Sequence, residues 1–496
     1  MNHCTLAALL LATPFPTDLL PLTERLLASL QRLEHLIQAF RSQPVTPEAT
    51  AAFEQSLLGL TRDLGRDVLE QVFNHLEPEL PEQAPARLHV EGTSYRRRNK
   101  SPKTFATLFG PVRVSRLLYE SLEAGRPCLV PLQLHLGVVA GRATPALARK
   151  VGQLSAGQTQ RAVLRVLAED HQIHWCHKTL RAVTAELASN LKGYRQAFQA
   201  RRVVEWLRQA QRGKGPRRPV LAVGRDGIHV PLTAGKYNEA STATVSVYDQ
   251  HGKRLGTVYL GQMPLYQQEA LSEQLTGLLQ EVFSLWRGAR PRLAYVTDGG
   301  WHPTDYYDRV LRRMADPRNP GQRLVWERVI DFYHAACYVS QLSVALFKDG
   351  CMARYWARQM RKLLKEGRGG ATRVLQSASY YFNREKLSAA RREEFRKAHG
   401  YLQRHRRYMD YARYRAEGLP IGSGVTEAAC KTTFTQRLKQ SGMRWGLEGG
   451  QVIVDLRVLC MSGVYEDVFK AHLQRQSQEL KGTWTVFPQQ NQRRTG

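Results

Sequence analysis

Val220-Leu-Ala-Val-Gly-Arg-Asp-Gly227 and Leu293-Ala-Tyr-Val-Thr-Asp-Gly-Gly300 are two short apolar runs that each close on an aspartate followed by glycine. Runs of this length bounded by turn residues read as buried strands. Side chains alternate along a strand, so Asp226 shares a face with Ala222 and Gly224, and Asp298 shares one with Ala294 and Val296. The small residues at 222 and 224 let another element approach closely. One Asp-Gly after a strand is an ordinary turn. Two of them, on strands expected to be neighbours, point to a shared site. Working outward, strands are expected over 242–248 and 255–260, joined through Asp249-Gln-His-Gly252. A helix is expected over 267–285, another over 305–314, and a fifth strand over 324–330.

That order, three strands followed by helix, strand, helix and strand, is the order of a ribonuclease H-like domain of the α/β class. Such a site needs a third carboxylate, and Glu427 is the candidate, one turn into the helix that Gly422-Ser-Gly424 introduces and that is expected to reach about Lys439. A capping box does not account for Glu427. With Ser423 as N-cap the third helical position is Thr426, and with Gly424 as N-cap there is no side chain to reciprocate. An exposed ion pair with Lys431 would contribute less than about 1 kcal/mol. Three converging carboxylates repel one another unless cations lie between them. Two magnesium (or manganese) ions held by Asp226, Asp298 and Glu427 suit phosphodiester chemistry, with oxygen ligands and retained waters. No local Ser-His-Asp arrangement, phosphate-binding G-x-x-x-x-G-K-[ST] loop or H-E-x-x-H helix competes with this reading.

The rest of the chain reads as machinery for a polyanion. Lys and Arg number 72 against 43 Asp and Glu, a formal charge of +29 that favours nucleic acid as partner. The seven cysteines are scattered with no C-x-x-C pair, which fits a reducing compartment, and the Leu6–Ala12 apolar run lacks a preceding Lys or Arg, so a soluble cytoplasmic protein with no membrane partner is expected. Two amphipathic helices are expected over 23–76, the second opened by Thr46-Pro47, then a linker over 77–90 with Pro78, Pro81 and Pro85. Residues 1–90 form a helical region with an apolar face for dimerisation. Residues 91–200 carry the basic run Tyr95-Arg-Arg-Arg-Asn-Lys100, a hairpin turning at Phe109-Gly110-Pro111, and three helices opened by Thr144-Pro145, Ser155 and His177, in a helix-turn-helix-like spacing. The expected DNA contacts are Arg96, Arg97, Arg98, Lys100, Lys178 and Arg181 here, with Lys431, Arg437, Lys439, Arg444 and Trp445 near the third carboxylate. Residues 335–418 are helical in pattern and dense in Arg, Lys and Tyr, and 463–496 are expected to be a C-terminal tail, loose after Lys481.

The motifs Val223-Gly-Arg-Asp-Gly227, Thr297-Asp-Gly-Gly300, Asp331-Phe-Tyr-His-Ala335, Ile421-Gly-Ser-Gly-Val-Thr-Glu-Ala-Ala-Cys-Lys431 and Arg437-Leu-Lys-Gln-Ser-Gly-Met-Arg-Trp445 resemble the ISKra-type insertion-sequence transposases over roughly 95–462. The resemblance implies a bacterial, nucleoid-associated DDE transposase with its acidic triad at Asp226, Asp298 and Glu427. It also implies a catalytic domain of 218–334 and 421–462 with a helical insertion at 335–420. Partners would be double-stranded DNA, both element ends and target, bound by a homodimer or larger assembly. Relatives often carry paired cysteines near the stretch matching Tyr95 to Lys100; this chain has none, so no zinc is expected. His334, expected at the end of the fifth strand, resembles a histidine that related transposases keep near the active site. Trp301 and Trp445 are candidates for stacking on unpaired bases. Two other readings compete: a ribonuclease H-like nuclease without strand transfer, and a DNA-binding regulator that has lost catalysis.

Overall fold

Leucines recurring at three- and four-residue steps after Thr23 form α1 (Leu20–Arg41), and α2 (Pro47–His75) starts where Thr46 accepts the Ala49 amide at 3.1 Å with Pro47 in the first turn. The computed structural model describes residues 20–483 apart from 91, 234, 266 and 267. The Leu6–Ala12 run and the stretch beyond 483 lie outside the described residues. These fall into two compact units, one ending at Leu187 and resuming at His472, the other Ala188–Ala471.

In the first unit, α1 packs along α2 with Phe40 stacked on Phe53. No residue of α2 is fully buried, and Leu27, Leu30, Ile37 and Leu58 remain exposed. The 77–90 stretch is more ordered than a linker, since it ends in β1 (Arg87–Val90), the edge of an antiparallel sheet ordered β1-β2-β3 with β2 (Thr93–Thr107) and β3 (Gly110–Ser121). The basic run therefore lies inside the hairpin, with a register shift between Arg97 and Lys100. The outer edge of β3 is capped by α2: Glu70 accepts the Arg113 amide, and the Asn74 side chain bonds Arg113 O and the Ser115 amide. Helices α3 (Pro145–Gly157) and α4 (Gln160–His171) follow. Ser155 does not cap a helix; it is buried inside α3, and the cap is Thr159, which accepts the Ala162 amide at 3.1 Å. The third helix, α5 (His177–Arg212), runs for 36 residues.

The second unit is built on a five-stranded mixed sheet. Its strands are β4 (Val220–Pro231), β5 (Tyr237–Tyr248), β6 (Arg254–Gln262), β7 (Arg292–Thr297) and β8 (Trp326–Ile330). They lie in the order β8-β7-β4-β5-β6, with β4, β5 and β6 antiparallel and β4, β7 and β8 parallel. One face, with Leu221, Val223, Leu293 and Tyr295, packs on the second half of α5 and on α6 (Glu269–Leu285). After β7 the chain turns into α7 (Trp301–Arg309). The other face, with Val220, Ala222, Ala294 and Val296, packs on α8 (Phe332–Leu346) and the helices after it: α9 (Gly350–Glu366), α10 (Gly370–Arg384), α11 (Ala389–His405) and α12 (Tyr411–Ala416). The helix after Gly422-Ser-Gly424 is not continuous to Lys439. It is α13 (Gly424–Cys430), one π-helical turn (Lys431–Thr435) and a last turn ending at Leu438. Then come α14 (Leu447–Met461) and α15 (Tyr465–Thr483), so the expected tail begins as a helix, because the period-3.6 pattern after Tyr465 buries Val468 and Phe469. No helix among the described residues is long and apolar enough to cross a membrane.

Candidate active site

Asp226 does not end its strand. β4 runs on to Pro231 because β5 keeps pairing with it, Asp226 lying opposite Thr242. What ends there is the parallel pairing: β7 follows β4 only to Gly224 opposite Val296, and carrying that register two residues further sets Asp226 level with Asp298. Behind Asp226, Arg225 is buried on the opposite face, donating to Ser272 Oγ at 2.8 Å and lying over the Tyr306 ring, which locks the strand's orientation. Asp298 follows β7, and Gly299 at φ +84° turns the chain so that the Gly300 amide donates to Asp298 Oδ1 at 2.8 Å.

The element that approaches the small residues of β4 is α13. Thr426, one residue before Glu427, is buried with its hydroxyl 2.8 Å from that of Thr244. A β-carbon at Gly224 would lie 1.8 Å from Thr426 Oγ1, so only glycine admits this helix. Gly224→Ala should therefore push α13 outward and destabilise the fold by about 1–3 kcal/mol. Urea denaturation checks it, and Thr426→Ala should rescue part of the loss. Ser423 is the N-cap of α13 but makes no side-chain cap bond, leaving Glu427 exposed and outside any capping box.

The Ser423 hydroxyl instead donates to Asp331 Oδ2 at 2.5 Å, as does the Ser423 amide, while Asp331 Oδ1 accepts the His334 amide at 2.8 Å. Asp331 is 1 % exposed and caps α8. It thus ties the start of α8 to the loop before Glu427. Sequence reasoning quoted Asp331 within a motif without giving it a role; its local signal was the N-cap position before Phe332-Tyr-His334. His334 is not at a strand end but in the first turn of α8, edge-on to the stacked rings of Tyr338 and Tyr401. Tyr401 donates to the Asp298 carbonyl, and His405 lies against Gly299. Burial, reinforced by Arg328 and Arg404, pushes His405 down to about 4, so it is neutral near pH 7.

Electrostatics links the three carboxylates. The Asp226 carboxyl is pushed up, first by burial, then by the negative charges of Asp298 and Glu427, against the lowering effect of the Gly227 amide. The buried Cys430 thiol donates to Asp226 Oδ2 at 3.4 Å and is itself pushed up by burial and by Asp226. Among the described residues no group of three or more His, Cys, Asp or Glu side chains is drawn close enough to hold a metal ion.

The expected DNA contacts divide. Arg96 and Arg98 face Glu120, at 3.9 and 2.5 Å, Arg97 donates to the Glu82 and Ala84 carbonyls, and Lys100 to that of Glu79. Lys178 is exposed, as are Lys431, Lys439 and Arg444, and Arg181 is exposed with a bond to Gln160. Arg437 is 0 % exposed, beneath the Trp445 ring, its guanidinium lowered to about 10 by burial. A direct phosphate contact by Arg437 is thereby corrected to a core role. Trp445 is held too: its indole N–H donates to Leu438 O, and its backbone bonds Pro231 and Thr233. Trp301, the first residue of α7 and three residues after Asp298, is 64 % exposed. Comparison with protein-family models and with curated proteins returns no match.

Proposed function

We propose that this chain is a DNA transposase of the DDE type, cutting element ends and joining them to target DNA with Asp226, Asp298 and Glu427 as its acidic triad. The observation that carries the reading is geometric: strand register sets Asp226 level with Asp298, and α13, which carries Glu427, packs against β4 at Gly224, two residues before Asp226. The strand order β8-β7-β4-β5-β6 supports a ribonuclease H-like domain, with α8 to α12 as its insertion. The helix-turn-helix-like stretch with exposed Lys178 and Arg181 supports end recognition. Exposed Leu27, Leu30, Ile37 and Leu58 support assembly through α1 and α2.

The oxygen-only donors fit magnesium or manganese, and the triad would hold two such ions, which supply charge stabilisation to the attacking and leaving oxygens of the phosphodiester. The protein's own part is positional. Gly224 and Thr426 seat Glu427's helix, Asp331 anchors the loop before it, and Cys430 orients one oxygen of Asp226. Purified protein with end-containing duplex should cleave and join in magnesium or manganese. It should bind without cutting in calcium, and lose activity to a chelator. Cleavage without joining would favour the nuclease reading; binding with no cleavage under any of these ions would overturn the enzyme reading.

A further inference from the structure

The helices between Asp331 and the Gly422-Ser-Gly424 loop carry their charge unevenly. α9 buries Ala353, Trp356, Ala357 and Leu364, and turns Arg354, Arg358, Arg361 and Lys362 outward. Among the described residues none of these four joins an ion pair: Arg354 donates to Cys351 Sγ and Arg361 to the Ala357 carbonyl. Neighbouring helices pair only part of their cations: exposed Arg373, Arg392, Arg404 and Arg415 join no ion pair among the described residues, but none of these helices sets four unpaired cations on one face. On α11 Arg396 faces Glu393 and Lys397 faces Glu394, and on α12 Arg413 pairs with Glu327 and Glu417. Like charges three and four residues apart weaken an isolated helix, so packing of α9 alone does not call for this stripe.

We infer that the outward face of α9 is a DNA surface that grips the phosphate backbone of duplex beside the active site. This rests on the DNA-transposase reading and extends it to a helix given no DNA contact in that reading. Arg354, Arg358, Arg361 and Lys362 lie at helical spacing over about 12 Å. Duplex carries about one phosphate charge per 1.7 Å of axis, so a straight rod of cations this long faces several phosphates at once. Past the stripe, half-buried Lys365 sets its Nζ over the Phe332 ring, 5.5 Å from the centre, and Phe332 follows Asp331, which anchors the loop before Glu427. Exposed Tyr355 and Met352 flank the arginines and add apolar surface for the sugar edge. Arginines that bind only phosphate position the duplex without reading its sequence. By contrast, Arg96 and Arg98 in the expected recognition run already face Glu120.

The test uses full-length protein carrying Arg354→Gln, Arg358→Gln and Arg361→Gln together, and reads equilibrium binding to end-containing duplex across a salt series. Losing up to three phosphate contacts should flatten the log–log salt slope by about 2–3 and weaken end and unrelated duplex alike, leaving sequence preference unchanged. The triple Arg→Lys variant should keep the slope, which separates charge from a folding defect. Because the readout is affinity, it is made equally well in an Asp226→Asn background. A reduced slope there sustains the inference even if no strand joining is ever observed. An unchanged slope in the Gln variant overturns it, whether or not wild type cleaves, as does a loss confined to an acidic polypeptide such as polyglutamate.

Discussion

Asp226→Asn, Asp298→Asn and Glu427→Gln should each lower cleavage and joining of end DNA by at least about 10³-fold, while end binding stays within a few-fold of wild type. Each change keeps shape and removes an anionic oxygen. Stabilisation worth several kcal/mol of developing charge is thereby lost, at about 1.4 kcal/mol per tenfold in rate. Cleavage assays on purified variants decide it, and substantial turnover by Glu427→Gln would mean that the third acid lies elsewhere. The same variants carry a stability signature without metal. Burial and two like charges raise the Asp226 carboxyl. A raised folded value means that the ionised form costs stability at neutral pH, and that this cost disappears as pH falls through the raised value toward the ordinary carboxylate range. Metal-free Asp226→Asn should therefore melt above metal-free wild type at pH 7, and the difference should close under acid. Thermal melts at both pH values check it.

Asp331→Ala should be the most damaging change outside the triad. It removes the acceptor of the Ser423 amide, the Ser423 hydroxyl and the His334 amide, all gathered on a side chain that is 1 % exposed. Orphaned buried donors cost about 1–3 kcal/mol each, so a total loss of at least about 3 kcal/mol is expected, together with reduced cleavage as α13 loosens. Asp331→Asn should recover only part, since its amide nitrogen cannot accept on one side. Glu427→Gln supplies the contrast, inactive yet of normal stability. Should Asp331→Ala unfold at the wild-type denaturant midpoint, the anchoring role would be wrong.

Much of the mixed α/β order was legible in the chain. The short apolar runs at Val220 and Leu293 and the strand expected over 324–330 became parallel neighbours, and the leucine spacing after Thr23 became α1 and α2, because apolar run length and spacing are local properties of the chain. The small residues beside Asp226 announced a close approach without naming the partner. Local pattern failed wherever a residue's fate depends on something distant. Arg437 looks like a DNA contact until Trp445 covers it. Ser155 looks like a cap until α3 runs through it, and Arg96 and Arg98 look free until the hairpin brings Glu120 across. Composition and periodicity thus determined the main strands and helices of the α/β unit and put Asp226 and Asp298 on neighbouring strands. Only the tertiary structure decided that Thr426 fits against Gly224, that Asp331 holds Ser423, and which cations keep an open face. Those outcomes depend on contacts between positions tens to hundreds of residues apart, whose energies no short window of sequence contains.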